Sequence, residues 1–124
     1  MLIKTGGRVE AATNTEELLI NLAVESWRLC RMFQRSIDSR DIKSASRQSN
    51  QVRYFQRKLE DSLSPLGLRL VVLDGQSFDP GMAATALNAG DFGPDDTLFV
   101  EQMIEPVVMG SNGVRRTGTM MLRK

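Results

Sequence analysis

Apolar residues recur at helical spacings over the first half of the chain. Two adjacent stripes run through residues 19–37, and the same rhythm returns over residues 52–63. Spacings of three, four and seven residues place side chains on one face of a helix. Between these stretches, residues 38–50 alternate serines with charged residues, which is typical of a turn. The pattern predicts a helical hairpin; the alternative is one continuous helix of about 50 residues, roughly 75 Å long.

Local signals set the expected ends of this helical region. Residues 13–17, of sequence TNTEE, form a capping-box type of start, because side-chain oxygens satisfy free amides and glutamates favour the positive helix end. Pro65 and Gly67 are expected to stop the second helix, since proline lacks an amide and glycine readily becomes left-handed. We therefore expect a flexible N-terminus over residues 1–13 and a helical region over residues 14–66.

The two apolar stripes are wider than a pair of helices can cover. The exposed remainder favours association, and a twofold dimer that closes a four-helix bundle is the simplest arrangement. The alternative is that the second half of the chain covers the stripes within one molecule. The residues expected at a dimer interface are Leu19, Leu22, Leu29, Phe33, Val52, Phe55, Leu59 and Leu63.

The second half of the chain changes to short runs rich in β-branched residues. Residues 68–73, of sequence LRLVVL, end at Asp74-Gly75 and are typical of a strand. Asn112-Gly113 supplies the positive φ angles that a tight hairpin turn requires. Three further strands are predicted, over residues 97–104, 107–109 and 114–122.

A short helix is predicted after the first strand. Asp79 as the cap and Pro80 at the first helical position form a favoured start, followed by residues 82–87, of sequence MAATAL. The predicted fold class is therefore α+β. A helical hairpin, forming a four-helix bundle on dimerisation, precedes a small β-rich domain over residues 67–124.

Candidate catalytic groups are sparse. The chain has no histidine, which removes the most common general base, the Ser-His-Asp triad and the imidazole zinc sites. Cys30, the single cysteine, lies among helical apolar residues and is expected to fill space. Five acidic residues are expected on the surface and not as paired acids or magnesium ligands: Asp91, Asp95, Asp96, Glu101 and Glu105. We expect a binding protein, not an enzyme, without a cofactor or metal.

The charge balance argues against nucleic acid as the general partner. Sixteen basic and fifteen acidic residues give a net charge of +1, too small to neutralise many phosphates. No segment approaches the roughly 20 apolar residues that span a bilayer, so a cytoplasmic protein is expected. Arg28, Arg31 and Arg35 lie on one helical face and are expected to keep the bundle soluble. RNA binding through six basic residues of the helical half is a third hypothesis. They are Arg28, Arg31, Arg35, Arg40, Lys43 and Arg47.

Two arginines stand beside the predicted hairpin turn. Arg115 and Arg116 lie close to the apolar residues 107–109, and this mixture is favoured at protein interfaces. Because adjacent residues of a strand point to opposite faces, only one of the two arginines need face a partner.

The β half carries short motifs in a specific order. They are Gly67-Leu-Arg-Leu-Val, Phe78-Asp-Pro80 and Asp96-Thr-Leu-Phe-Val, continuing through Asn112-Gly-Val-Arg-Arg116 to Met121-Leu122. This order resembles the C-terminal β-wing of GrpE, the nucleotide exchange factor of DnaK-type heat-shock chaperones. The helical half is similar only in general design to the two bundle helices of that family. Two features depart from it: the long N-terminal stalk helices are missing, and Ile104-Glu105-Pro106 replaces a common Lys-Gly-Tyr.

The resemblance implies a homodimeric cochaperone that binds one lobe of a DnaK-like ATPase and favours its open cleft, so that ADP leaves faster. The missing stalk separates this chain from the family's coiled-coil functions, and the altered wing makes a dedicated DnaK-like partner as plausible as the housekeeping one. The alternative is a structural adaptor that binds an ATPase-like partner without nucleotide exchange. Arg116 matches a partner-facing arginine of the wing. Arg115, Met109, Val108 and Met103 are the further candidates for partner contact.

Overall fold

The computed structural model describes the backbone of residues 4–124 and the side chains of residues 15–124. Two helices come first: α1, Lys4–Ser36, and α2, Ile42–Leu63. Asp41 caps α2, since its carboxylate accepts a hydrogen bond from the Ser44 amide at 3.2 Å. The helices are separate and pack on each other, which confirms the helical hairpin and excludes the single long helix.

The start of α1 differs from the prediction. The helix already includes residues 13–17, because it begins at Lys4, so the capping-box start is wrong. Val9, Glu10, Ala11 and Ala12 contain no helix breaker, and a threonine or asparagine within a helix costs only a few tenths of a kcal/mol, by order of magnitude. The predicted flexibility of residues 1–13 stays a prediction; Met1–Ile3 lie outside the described residues.

The end of α2 follows the sequence signals. A single 3₁₀ turn, Ser64–Leu66, contains Pro65 and leads to Gly67, which has a left-handed φ of 70°. The Leu68 amide donates back to the Leu63 carbonyl at 3.2 Å, so the end of the helix is closed by a backbone hydrogen bond. The predicted stop is confirmed.

Six short strands follow in two three-stranded sheets. They are β1, Arg69–Val71; β2, Ala84–Ala86; β3, Phe99–Glu105; β4, Val107–Gly110; β5, Gly113–Arg116; and β6, Gly118–Arg123. One sheet has the order β1-β4-β5 and is antiparallel. The other has the order β2-β6-β3, in which β2 is parallel to β6 and β3 is antiparallel to it. The fold class α+β is therefore confirmed.

The helix predicted over residues 82–87 is wrong, because this segment contains strand β2. The Leu87 amide donates to the Met120 carbonyl, and the Gly118 amide donates to the Ala83 carbonyl. These bonds to a distant strand replace the local bonds of a helix, and tertiary context outweighs the helix propensity of alanine. Asp79 accepts from the Gly81 amide at 2.9 Å and so forms a turn, not a helix cap.

The strand predicted over residues 114–122 is divided in two. Thr117 separates β5 from β6 on one arm, and Pro106 separates β3 from β4 on the other. Strands β3 to β6 together form a long hairpin, which we call the bent ribbon. Each of its two arms passes from one sheet to the other. The two-residue loop of this ribbon is Ser111-Asn112, between the paired Gly110 and Gly113. The turn therefore lies one residue earlier than predicted, and within it only Gly113 adopts a positive φ, of 122°.

Two buried clusters join the helices to the sheets. The first brings α1 and the end of α2 against Leu68 and Val108. The second places Trp27 of α1 on the β2-β6-β3 sheet, among Val100, Met103 and Met120. Within the described part of the chain, no helix has the length and apolar character needed to cross a bilayer.

Candidate functional site

Both arginines of the β4–β5 hairpin point toward helix α1. Arg115 forms an ion pair with Glu16, and Arg116 donates a hydrogen bond to the Asn21 side-chain oxygen. The register explains this. Val108 pairs with Arg116 and Met109 pairs with Val114, so Arg115 is an extra residue in a β-bulge. The bulge interrupts the alternation on which the sequence argument rested, and both guanidinium groups contact α1; which arginine faces a partner stays a prediction.

Two of the other predicted partner contacts are core residues. Val108 and Met103 are each only 1% exposed, and they belong to the first and second buried clusters. Neither side chain is accessible to a partner in this structure, which corrects their assignment as contact residues. Met109 is half-buried against the second cluster. The sequence could not distinguish these two roles, because a short apolar strand has the same composition whether its side chains face the core or a partner.

The hairpin still offers an accessible tip. Val114 is 46% exposed, Ser111 and Asn112 are exposed, and the Arg115 side chain retains substantial exposure beside its ion pair with Glu16. The Glu16 and Asn21 contacts hold the two guanidinium groups in place. A partner meeting this tip would encounter pre-ordered arginines next to one apolar side chain, an arrangement that reduces the entropy lost on binding.

A second candidate surface lies on the helical hairpin. Five of the eight residues predicted for dimerisation are exposed: Leu19, Leu22, Leu29, Phe33 and Phe55. Val52 and Leu63 are buried and Leu59 is partly buried, and these three form the floor between the exposed residues. Two grooves, of about 430 and 280 Å³, meet at Phe55 and run along this surface, which we call the apolar helical face.

The apolar helical face has a regular spacing on α1. Leu19, Leu22, Ser26, Leu29 and Phe33 follow alternating steps of three and four residues. This is the spacing of a coiled-coil seam, in which each side chain inserts between those of a facing helix. Ser26, which lines the larger groove, completes this series. It was missed because only apolar residues were counted.

A charged contact fixes the helical hairpin on the β region. The Arg31 guanidinium lies 4.6 Å from the Trp27 ring centroid and donates to both Asp74 oxygens, at 3.0 and 3.2 Å. Asp74 also accepts from the Met103 amide at 3.2 Å. Bidentate arginine–carboxylate pairs are among the stronger polar contacts. Arg31 is thus engaged within the chain and does not form part of a free basic surface.

Three of the other basic residues named for the helical half also have contacts within the chain. Arg28 pairs with Glu25 at 3.1 Å, and Arg35 donates to the Gln102 side chain. Arg40 binds Asp38, and this hydrogen bonding lowers the pKa of the Asp38 carboxyl. Lys43 and Arg47 remain exposed on α2. Only part of this set of basic residues is therefore available to RNA, the partner of the third hypothesis.

The cysteine and two of the acidic residues considered as chemical groups are engaged within the fold. Cys30 is buried, and burial raises the pKa of its thiol. The Glu105 carboxylate accepts from the Thr119 hydroxyl at 3.2 Å, and Asp96 lies 3.6 Å from the Lys124 ammonium. Among the side chains that the structure describes, no three histidine, cysteine or acidic residues are grouped to hold a metal ion.

The chain was compared with models of protein families, with curated proteins and with solved structures, and none of the three comparisons finds a match.

Proposed function

We infer that this chain is a GrpE-like cochaperone: a homodimer that binds the ATPase domain of a DnaK-type chaperone and promotes ADP release. The observation that carries this proposal is the β4–β5 hairpin, which presents two pre-ordered arginines and the exposed Val114 at the end of a rigid β region. The hairpin includes Arg116, the residue that the resemblance to GrpE selects.

The mechanism requires no chemistry from this chain. If the hairpin binds one lobe of the ATPase better when its cleft is open, the population shifts toward the open state and ADP leaves faster. Linkage requires the reverse effect as well: bound ADP must weaken the binding of this chain by the same factor. The hairpin suits this role because its core contacts and its bonds to α1 let it act as a stiff wedge.

The first prediction concerns ADP release. Adding the chain to a DnaK-type ATPase domain from the same organism, loaded with fluorescent ADP, is expected to accelerate release in a stopped-flow experiment. Arg116→Glu is expected to reduce the acceleration by about tenfold or more, since an arginine that acts as an interface hot spot contributes about 2 kcal/mol or more. Arg47→Glu, the same charge reversal at an exposed position of α2, should leave it unchanged.

A further control separates partner binding from the internal bond. Asn21→Ala removes the hydrogen-bond acceptor of Arg116 and leaves the arginine itself. If Arg116 acts by contacting the ATPase, Asn21→Ala should retain most of the exchange activity. Equal losses in the two variants would show that Arg116 only positions the hairpin, and absence of any acceleration by the parent chain would refute the proposed exchange activity.

The second candidate function is a structural adaptor that binds an ATPase-like partner without exchange. The observation that favours it is that α1 already binds both guanidinium groups, so less of their hydrogen-bonding capacity remains for the chaperone. A stable complex in sedimentation velocity, together with an unchanged rate of ADP release, would support the adaptor over the exchange factor.

The second prediction concerns the homodimer. Leu22 and Leu29 are each 64% exposed on the apolar helical face, so replacing both by glutamate should not disturb the core. Burying two glutamates against a second copy is costly, and Leu22→Glu/Leu29→Glu is expected to be monomeric where the parent chain is a dimer. Sedimentation equilibrium measures the mass directly.

The matched control for this experiment is Leu87→Glu, which changes a leucine of similar exposure, 59%, on the β region. It should leave the mass unchanged. A parent chain that is monomeric at high micromolar concentration would contradict the proposed dimer, as would a double variant that still dimerises.

A further inference from the structure

A third surface lies at the open end of the bent ribbon, away from both surfaces described above. A groove of about 600 Å³ is formed there by three loop segments and the end of β6. Its apolar lining includes Phe78, Pro80, Phe92, Leu98 and Leu122. The last pair of the ribbon, Phe99 with Arg123, lies at this end, whereas the β4–β5 turn lies at the other.

The walls of this groove are held in place by hydrogen bonds. The Asn88 side chain donates to the Leu122 carbonyl at 2.9 Å and accepts from the Leu122 amide at 2.8 Å, as a neighbouring strand would. Asp96 accepts from the Gly93 amide at 2.7 Å, and the Phe78 amide donates to the Leu98 carbonyl at 2.8 Å. The groove is therefore preformed, so a ligand does not have to order its loops.

Acidic residues outnumber basic ones around the groove, where Arg123 adjoins Leu122 and Lys124 contacts Asp96. Residues 71–114 contain seven Asp or Glu and no Lys or Arg, in a chain whose total charge is nearly balanced. Four of these acids lie next to groove-lining residues or line the groove: Asp79, Asp91, Asp95 and Asp96. Asp91 and Asp95 are exposed, and their side chains have no ion-pair or hydrogen-bond partner among residues 15–124.

The chain itself shows which charge this rim attracts. The Lys124 ammonium, on an exposed side chain, lies 3.6 Å from the Asp96 carboxylate. A ligand that complements the groove must therefore offer cations to its rim and an apolar group to its floor. Among the described side chains, every buried nitrogen or oxygen atom already has a hydrogen-bond partner. None is therefore left to orient a small molecule. A peptide segment provides both features along its length.

We propose that this groove binds a basic segment of a partner protein, in which Lys or Arg residues flank an aliphatic or aromatic anchor. The anchor packs between Phe78 and Phe92, and the flanking cations lie near Asp91 and Asp95. The site does not depend on the β4–β5 hairpin, because the full length of β3 and β4 separates the two along the ribbon.

The experiment uses random heptapeptides displayed on phage and selected on the full chain. The expected result is enrichment of sequences with Lys or Arg beside an aliphatic or aromatic residue. A fluorescein-labelled synthetic copy of the most enriched sequence is then titrated with the chain, and binding is followed by fluorescence anisotropy. Asp91→Asn/Asp95→Asn is expected to weaken binding at least fivefold, and raising the salt concentration should weaken binding to the parent chain.

The matched control is Glu60→Gln/Asp61→Asn, which removes two exposed charges from α2 and should change the Kd less than twofold. Arg116→Glu should also bind the peptide normally, so this proposal and the exchange activity can fail separately. The proposal is overturned if no peptide is enriched, if enriched peptides lack Lys and Arg, or if both charge-removing variants weaken binding equally. Loss of binding in Arg116→Glu would overturn it too, because the peptides would then lie on the hairpin.

Discussion

Replacing Trp27 by alanine is expected to lower the free energy of unfolding by about 3–5 kcal/mol, the usual cost of removing a large buried aromatic side chain. Trp27 is 6% exposed and is the residue by which α1 enters the buried cluster of the β2-β6-β3 sheet. Its ring also lies against the Arg31 guanidinium, which binds Asp74. The substitution therefore removes both apolar packing and support for a charged pair.

The measurement is urea denaturation followed by far-ultraviolet circular dichroism, since tryptophan fluorescence is lost with the side chain. The Leu22→Glu/Leu29→Glu background keeps unfolding separate from association, because dissociation otherwise contributes to the measured stability. Trp27→Phe keeps most of the apolar packing and should cost clearly less than Trp27→Ala. A loss below about 1 kcal/mol for Trp27→Ala, within the range of ordinary substitutions, would mean that α1 does not pack on the sheet in this way.

Replacing Gly118 by alanine is expected to lower the free energy of unfolding by about 1–3 kcal/mol, the usual cost of overpacking. A Cβ atom at this position would lie 2.6 Å from the Glu105 carbonyl oxygen and 3.1 Å from the Pro106 carbonyl carbon. Both are backbone atoms at the bend of the ribbon, so neither can turn away as a flexible side chain would. The two arms of the ribbon must separate to accept the methyl group.

Gly90→Ala is the matched control, because a Cβ atom there meets nothing within 4 Å and the backbone does not have a positive φ. Its effect should stay within about 0.5 kcal/mol, as for most surface substitutions. The same urea titration measures both variants. Equal stability of Gly118→Ala and the parent chain would show that the arms are farther apart than this structure places them.

The helical half was largely predictable because its signals are local. Apolar spacing indicated both helices, and Pro65 with Gly67 indicated where the second one ends. Strand β2 was not predictable in this way. Its residues 82–87 satisfy the local rules for a helix, and only the hydrogen bonds to β6, more than thirty residues later, make them a strand. The residues of the segment itself do not indicate non-local pairing of this kind.

In the candidate surfaces too, features set by local sequence were predictable and features set by non-local pairing were not. The exposed leucines of α1 follow from periodicity, since a helix wheel places them on one side. The direction of the Arg115 and Arg116 side chains depends on a bulge that shifts the pairing between β4 and β5. No pattern of residues in the sequence predicted this bulge. Burial of Val108 and Met103 likewise depends on which sheet face meets α1. Sequence reasoning identified the hairpin as a feature of interest but not the orientation of its side chains.

The bent ribbon also bears on how the β region folds. Its first cross-strand pair, Gly110 with Gly113, closes a loop of two residues, and the last, Phe99 with Arg123, is reached by extending the same ladder step by step. Each new pair therefore closes little additional chain, and the entropy lost at each step is small. The central strands of both sheets can therefore form by one stepwise pairing process that starts at the Ser111-Asn112 loop. β1 and β2 then attach to arms that are already paired.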